Sequence, residues 1–186
     1  MEVKKQSLLP CAITCVRILG TVCLLFLRPL SAVFYAVYAV SGLSDVLDGY
    51  TARKLKASSE FGARLDSIAD LIFYAVILIK LFPLLWRQLP HGIWYAVSAV
   101  LLIRIASYVT AAVRFRRFAS VHTYLNKLTG AMVFLLPFFM GFGLTLAYST
   151  AVCTVGGIAS LEELILHITE EGYNPDRKTL LANHNK

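Results

Sequence analysis

Acidic residues are scarce in this chain of 186 residues, where Asp and Glu number 11 against 18 Lys and Arg. Cysteine is sparser still: Cys11, Cys15, Cys23 and Cys153 form no CxxC pair and have no histidine nearby. That argues against zinc and against a disulfide framework. Three of these thiols fall in the first apolar run, where they pack as small apolar groups. No long internal repeat, low-complexity segment or base-reading motif is visible, so nucleic acid is not an expected partner. A cleavable signal peptide is not expected either, because the first apolar run contains Arg17 and lacks a small-residue cleavage site. What remains is apolar. Hydrophobic residues make up 58% of the chain and the mean hydropathy is +0.67, whereas soluble domains are about 45–50% apolar.

A membrane-crossing helix needs roughly 20 apolar residues. Candidate spans cover residues 11–27, 31–50, 66–86, 92–113, 128–147 and 149–168, with the last two nearly touching around Ala147–Tyr148–Ser149. The expected fold is all-α, a polytopic integral membrane protein with six transmembrane helices. It comprises one membrane domain over residues 1–168 and a polar tail over 169–186. The formal charge of +7 and pI of about 9.4 fit cytoplasmic anchors and anionic-lipid contacts. Placing the N-terminus inside puts Lys4, Lys5, Lys54 and Lys56 on the cytoplasmic side, with the basic cluster Arg114, Arg116, Arg117 and Lys127. Only Arg28 and Arg87 then lie in outside loops. Both termini are expected in the cytoplasm.

Against this background four aspartates stand out: Asp45, Asp48, Asp66 and Asp70, all within 26 residues. An acid at the edge of a span is costly unless it pairs, binds a cation or faces water. Spacings of three and four place each pair on one helical face. Two such helices facing each other would form a cage for one or two hard divalent cations. Gly49 and Ala52 make a small-residue patch beside the acids, open to a close ligand, while Gly62 serves either that approach or helix packing. Arg53 is suited to a diphosphate or to anchoring the loop.

Arg17 and Arg104 fall inside spans, where a guanidinium needs an anionic partner: an aspartate or a bound phosphate. Arg104 shares a helical face with Ser107 and Tyr108, which suits an acceptor site. The basic loop with Arg114, His122 and Lys127 suits an acceptor that carries its own phosphate, or anionic lipid. Glu162 and Glu163 have no partner nearby in sequence; they mark an oligomer contact or the end of a span.

The pattern Asp45-x2-Asp48-Gly49-x2-Ala52-Arg53-x8-Gly62-x3-Asp66-x3-Asp70 resembles, without a gap, the signature of the CDP-alcohol phosphotransferase family. Pro10-x3-Thr14-x2-Arg17 is similar to that family's N-terminal segment, departing at Cys11, where asparagine is usual. The resemblance implies transfer of a phosphatidyl group from CDP-diacylglycerol to a hydroxyl acceptor with release of CMP. It implies Mg2+ or Mn2+, in two ions, held by Asp45, Asp48, Asp66 and Asp70, with Asp70 as the base. It assigns Thr14, Arg17, Gly49, Ala52, Arg53 and Gly62 to the nucleotide and diphosphate. It also implies a homodimer in the cell (inner) membrane, with the active site facing the cytoplasm. Lys127-x-Thr129 looks loosely like phosphatidylglycerophosphate synthases, so glycerol 3-phosphate is the expected acceptor, bound by Arg104, Arg114 and Lys127. Inositol phosphate and serine are alternative acceptors. A cation transporter using the aspartates is the competing class, disfavoured because the acids sit at a span edge and no repeat is present.

Overall fold

The computed structural model describes residues 8–55, 60–116, 123–169 and 179, with side chains for 14–44, 68–116, 123–169 and 179. Among them there are six helices and no strand: α1 (Leu8–Phe26), α2 (Ala32–Leu55), α3 (Glu60–Gln88), α4 (His91–Phe115), α5 (Tyr124–Gly141) and α6 (Thr145–Thr169). Four stretches are long and apolar enough to cross a bilayer: Ile68–Gln88, His91–Phe115, Tyr124–Gly141 and Thr145–Thr169. Thr14–Phe26 and Ala32–Ser44 are shorter apolar helices. The protein is an all-α membrane protein. Large apolar side chains such as Leu19, Phe26, Leu71 and Val113 point outward, while Thr21, Ser41, Ser107 and Ser160 are buried along with Leu24, Phe34 and Leu166. Lipid solvates the large apolar side chains, and small residues let helices approach.

The helices divide into two compact units, Met1–Trp86 and Arg87–Lys186. In the first, Ser31 starts α2: its Oγ accepts from Phe34 N at 3.2 Å, as an N-cap residue does. α1 and α2 pack closely at Gly20, where an added Cβ would lie 2.2 Å from Ser41 Oγ and 3.6 Å from Val37 Cγ1. Two contacts align α3 with α1. Arg17 bonds Asp70, and Lys80 Nζ donates to Leu27 O at 3.0 Å; both join residues 53 apart. Equal offsets mean that α1 and α3 run parallel and in register, with α2 antiparallel between Gly20 and Ser41. Stacked rings, Phe34 on Tyr38 and Tyr38 on Phe73, fill the interior at 6.0 and 5.7 Å between centroids.

The Gly20 contact yields a test. In Gly20→Ala the Ser41 hydroxyl swings aside and little changes. Gly20→Val drives the helices apart, costing about 1–3 kcal/mol, read as a lower thermal midpoint in detergent. A midpoint equal to that of the parent chain would show that α1 and α2 do not approach here.

In the second unit α6 packs against both α4 and α5. Gly157 meets Val100 of α4 at 3.6 Å, and Gly156 meets Thr129 of α5 at 3.3 Å, each measured from an added Cβ. Phe139 stacks on Tyr148 at 3.8 Å, and Tyr148 Oη donates to Met132 O at 3.0 Å. α4 and α6 are therefore parallel and α5 is antiparallel to both. One expectation needs correcting: the break between the last two helices is not at Ala147–Ser149 but at 142–144. Gly143 adopts φ +74°, Leu144 N donates to Phe139 O and Gly143 N to Met140 O. This is a Schellman ending, which glycine permits by entering the left-handed region.

Candidate functional site

The directions of α1, α2 and α3 bring the sequence-predicted residues to one end of the first unit. Thr14 and Arg17 lie early in α1, Asp45 to Arg53 at the end of α2, and Gly62 to Asp70 at the start of α3. The backbone of Asp45, Asp48, Gly49, Ala52 and Arg53 is helical, as is that of Gly62 and Asp66. Their side chains lie outside the described residues, as do Lys56, Arg117, His122 and most of the tail. Asp70, Arg17 and Thr14 are fully described.

Arg17 is the centre of what is visible. It is 1% exposed and its Nη1 pairs with Asp70 Oδ1, a carboxylate left 29% exposed. Thr14, 3% exposed, lies one turn before it. Thr21 closes the turn above, its Oγ1 donating to Arg17 O at 2.7 Å. Arginine presents a planar fork of five donors, and one of them, Nη1, holds Asp70 Oδ1. Among the described residues, the anion that buried Arg17 meets is Asp70, the last residue of the aspartate pattern. A carboxylate that is partly exposed beside a buried cation is suited to take a proton from a bound hydroxyl and to ligate a hard cation.

The second unit gathers Arg104, Arg114 and Lys127 at the end where α4 and α6 finish and α5 begins. Arg104 Nη1 pairs with Glu163 Oε2, and Arg104 Nη2 donates to Asn126 Oδ1 at 3.1 Å. Asn126 Nδ2 in turn donates to the same Glu163 oxygen at 3.1 Å. Glu163 is fully buried and Arg104 is 21% exposed. Glu163, left without a partner by the sequence, is therefore held by Arg104 and Asn126. Glu162 accepts from Thr179 Oγ1 at 3.0 Å.

Arg114 donates through Nη1 to His167 O and Ile168 O, capping the last turn of α6, where a cation suits the carbonyl end of the helix. His167 is 2% exposed, and its Nδ1 lies 2.9 Å from Ser107 Oγ and 3.1 Å from Ser107 O. Its Nε2 has no hydrogen-bond partner among the described residues. Lys127 is exposed on the first turn of α5. Sequence reasoning missed Asn126 and His167; an amide beside a basic loop and a histidine in an apolar run give too little signal on their own.

Comparison with known proteins gives a consistent result. The model of the CDP-alcohol phosphatidyltransferase family matches residues 7–166. A CDP-diacylglycerol–glycerol-3-phosphate 3-phosphatidyltransferase of Pseudomonas fluorescens is 32% identical over 119 residues, 61% of this chain and 60% of that protein. The Haemophilus influenzae protein of the same description is 33% identical over 67 residues, 36% of this chain and 34% of that protein. A CDP-diacylglycerol–inositol 3-phosphatidyltransferase of Candida albicans is 38% identical over 58 residues, 28% of this chain and 25% of that protein. The matched part of the chain thus spans between a quarter and three-fifths of these relatives' lengths. No solved structure matches.

Proposed function

Because this chain belongs to the CDP-alcohol phosphatidyltransferase family, we propose that it makes a phospholipid by transferring a phosphatidyl group from CDP-diacylglycerol to glycerol 3-phosphate. The observation that carries this reading is the Arg17–Asp70 pair. It ties the N-terminal segment of the pattern to the end of its aspartate segment, 53 residues away. The acceptor is the one for which the Pseudomonas and Haemophilus relatives are named.

In the proposed reaction the acceptor hydroxyl oxygen bonds to the phosphatidyl phosphorus. The bond from that phosphorus to the CMP oxygen breaks, and Asp70 takes the hydroxyl proton. Arg17 holds Asp70 in place and keeps positive charge beside the phosphate oxygens, where negative charge builds. Thr14, Gly49, Ala52, Arg53 and Gly62 would contact the nucleotide and diphosphate. Asp45, Asp48, Asp66 and Asp70 are a hard-oxygen donor set that fits Mg2+ or Mn2+. The cations would neutralise the diphosphate and polarise the acceptor oxygen. Arg104, Arg114 and Lys127 are proposed for the acceptor phosphate. The Lys and Arg bias of the loops supports a cytoplasmic site and cytoplasmic termini, and the family supports a homodimer of the inner membrane.

The test is CMP release from CDP-diacylglycerol by the purified protein with Mg2+, offering glycerol 3-phosphate, inositol phosphate, inositol and serine separately. Release with glycerol 3-phosphate alone is expected. Release with a different single acceptor would replace the acceptor, and no release together with no binding of CDP-diacylglycerol would sink the enzyme reading. Chelation by EDTA should lower turnover by at least about 10²-fold, the scale of losing electrostatic stabilisation at a phosphoryl group, with recovery on adding Mg2+ or Mn2+. Turnover that survives chelation would remove the metal from the proposal.

A further inference from the structure

Glu163 presents a problem that the reaction does not explain. A carboxylate with no exposure inside a membrane helix is costly. Neutralising Arg104 accounts for part of it, but that task needs only the two of them. The structure adds a third member: Asn126 donates to Glu163 and accepts from Arg104, both at 3.1 Å. Each of the three residues bonds the other two, and each stands on a different helix, α4, α5 or α6. Asn126 lies in the first turn of α5 and Lys127 is the next residue.

We propose that Glu163 is a positioning residue which, through Asn126, fixes the first turn of α5 so that Lys127 meets the phosphate of the acceptor; this rests on the acceptor reading given above. The local geometry explains how. Thr123 caps α5, its Oγ1 accepting from Asn126 N at 3.2 Å, and Lys127 N donates to Thr123 O at 3.2 Å as the first turn closes. These bonds shape the turn but do not orient it about the helix axis. Successive side chains on a helix are rotated by about 100°, so anchoring the Asn126 side chain toward α4 and α6 sets the direction of Lys127. Lys127 is exposed and Asn126 half-buried, as that rotation requires. The pair with Glu163 also balances the charge of Arg104. Of the three cations proposed for the acceptor, Lys127 is then the one with neither a carboxylate nor a helix terminus as a partner among the described residues.

Asn126→Ala in the full chain is the direct test, because it keeps both members of the Arg104–Glu163 pair and removes the amide that ties them to α5. The expected result is a KM for glycerol 3-phosphate raised about tenfold, with kcat and the KM for CDP-diacylglycerol within about twofold, since only acceptor binding is weakened. Glu163→Gln should shift the same KM in the same direction. A fall in kcat with both KM values unchanged would mean a merely structural role and would overturn the proposal. Equal rises in both KM values would overturn it too.

A second readout needs no turnover: acylation of Lys127, followed by mass spectrometry, with and without glycerol 3-phosphate. Protection in the parent chain that is lost in Asn126→Ala supports the positioning role even if no CMP is released, in which case only the reaction reading has failed. No protection in the parent chain would overturn the proposal, whatever the CMP assay reports.

Discussion

Asp70→Asn should lower CMP release about 10³-fold, within the 10²–10⁴ range for loss of a positioned general base. Asparagine keeps the shape of aspartate and offers Oδ1 to the Arg17 guanidinium, so the visible geometry survives. It takes no proton at neutral pH and brings no charge to a cation. The variant also takes a carboxylate away from Arg17, which is 1% exposed. Removing one partner of a fully buried pair costs about 3–5 kcal/mol. Asp70 is 29% exposed, so water screens part of that loss. Thermal midpoint and binding of CDP-diacylglycerol, measured beside turnover, separate chemistry from folding. Activity within tenfold of the parent chain would remove Asp70 from the role of base.

Glu163→Ala is expected to be the most destabilising single change in the second unit. It removes the counter-charge of Arg104 and an acceptor of Asn126 together. The loss should approach the lower end of about 3–5 kcal/mol, because Glu163 is fully buried while Arg104 keeps 21% of its surface exposed. Replacing both residues, as Arg104→Met with Glu163→Met, should be milder than Glu163→Ala alone, since no unpaired charge stays inside. Denaturation in detergent measures each single variant and the double one. If the two losses simply add, the residues are not coupled and the ion pair contributes nothing of its own.

Much of this was legible in the sequence, and the residues show where legibility stops. Apolar runs located the helices because each is bounded by charged or polar residues. They misplaced the α5–α6 break, since hydropathy carries straight through Phe142, Gly143 and Leu144. The signal there was Gly143, a residue able to take φ +74°. Arg17 demanded an anion, and the cluster of aspartates supplied the candidates; among the described residues Asp70 bonds it. Arg104 made the same demand, but its partner lies 59 residues away on a parallel helix. No periodicity on either helix reveals that pairing, because parallel neighbours in a bundle are brought together by the helix between them. From sequence alone the acid that answers it, Glu163, fits an oligomer contact or the end of a span equally well.

The order of the triad along the chain bears on how such a charge enters the bilayer at all. Arg104 is made 59 residues before Glu163, and Asn126 37 residues before it. The acid is therefore the last of the three to leave the ribosome. An isolated acid within a span is costly to insert, and this one is synthesised after its cation and its amide. The tight turn at Gly143 delivers α6 antiparallel to α5, folded back on the helix that carries Asn126. Synthesis order therefore makes Glu163 the member of the triad whose partners already exist when it is added to the chain.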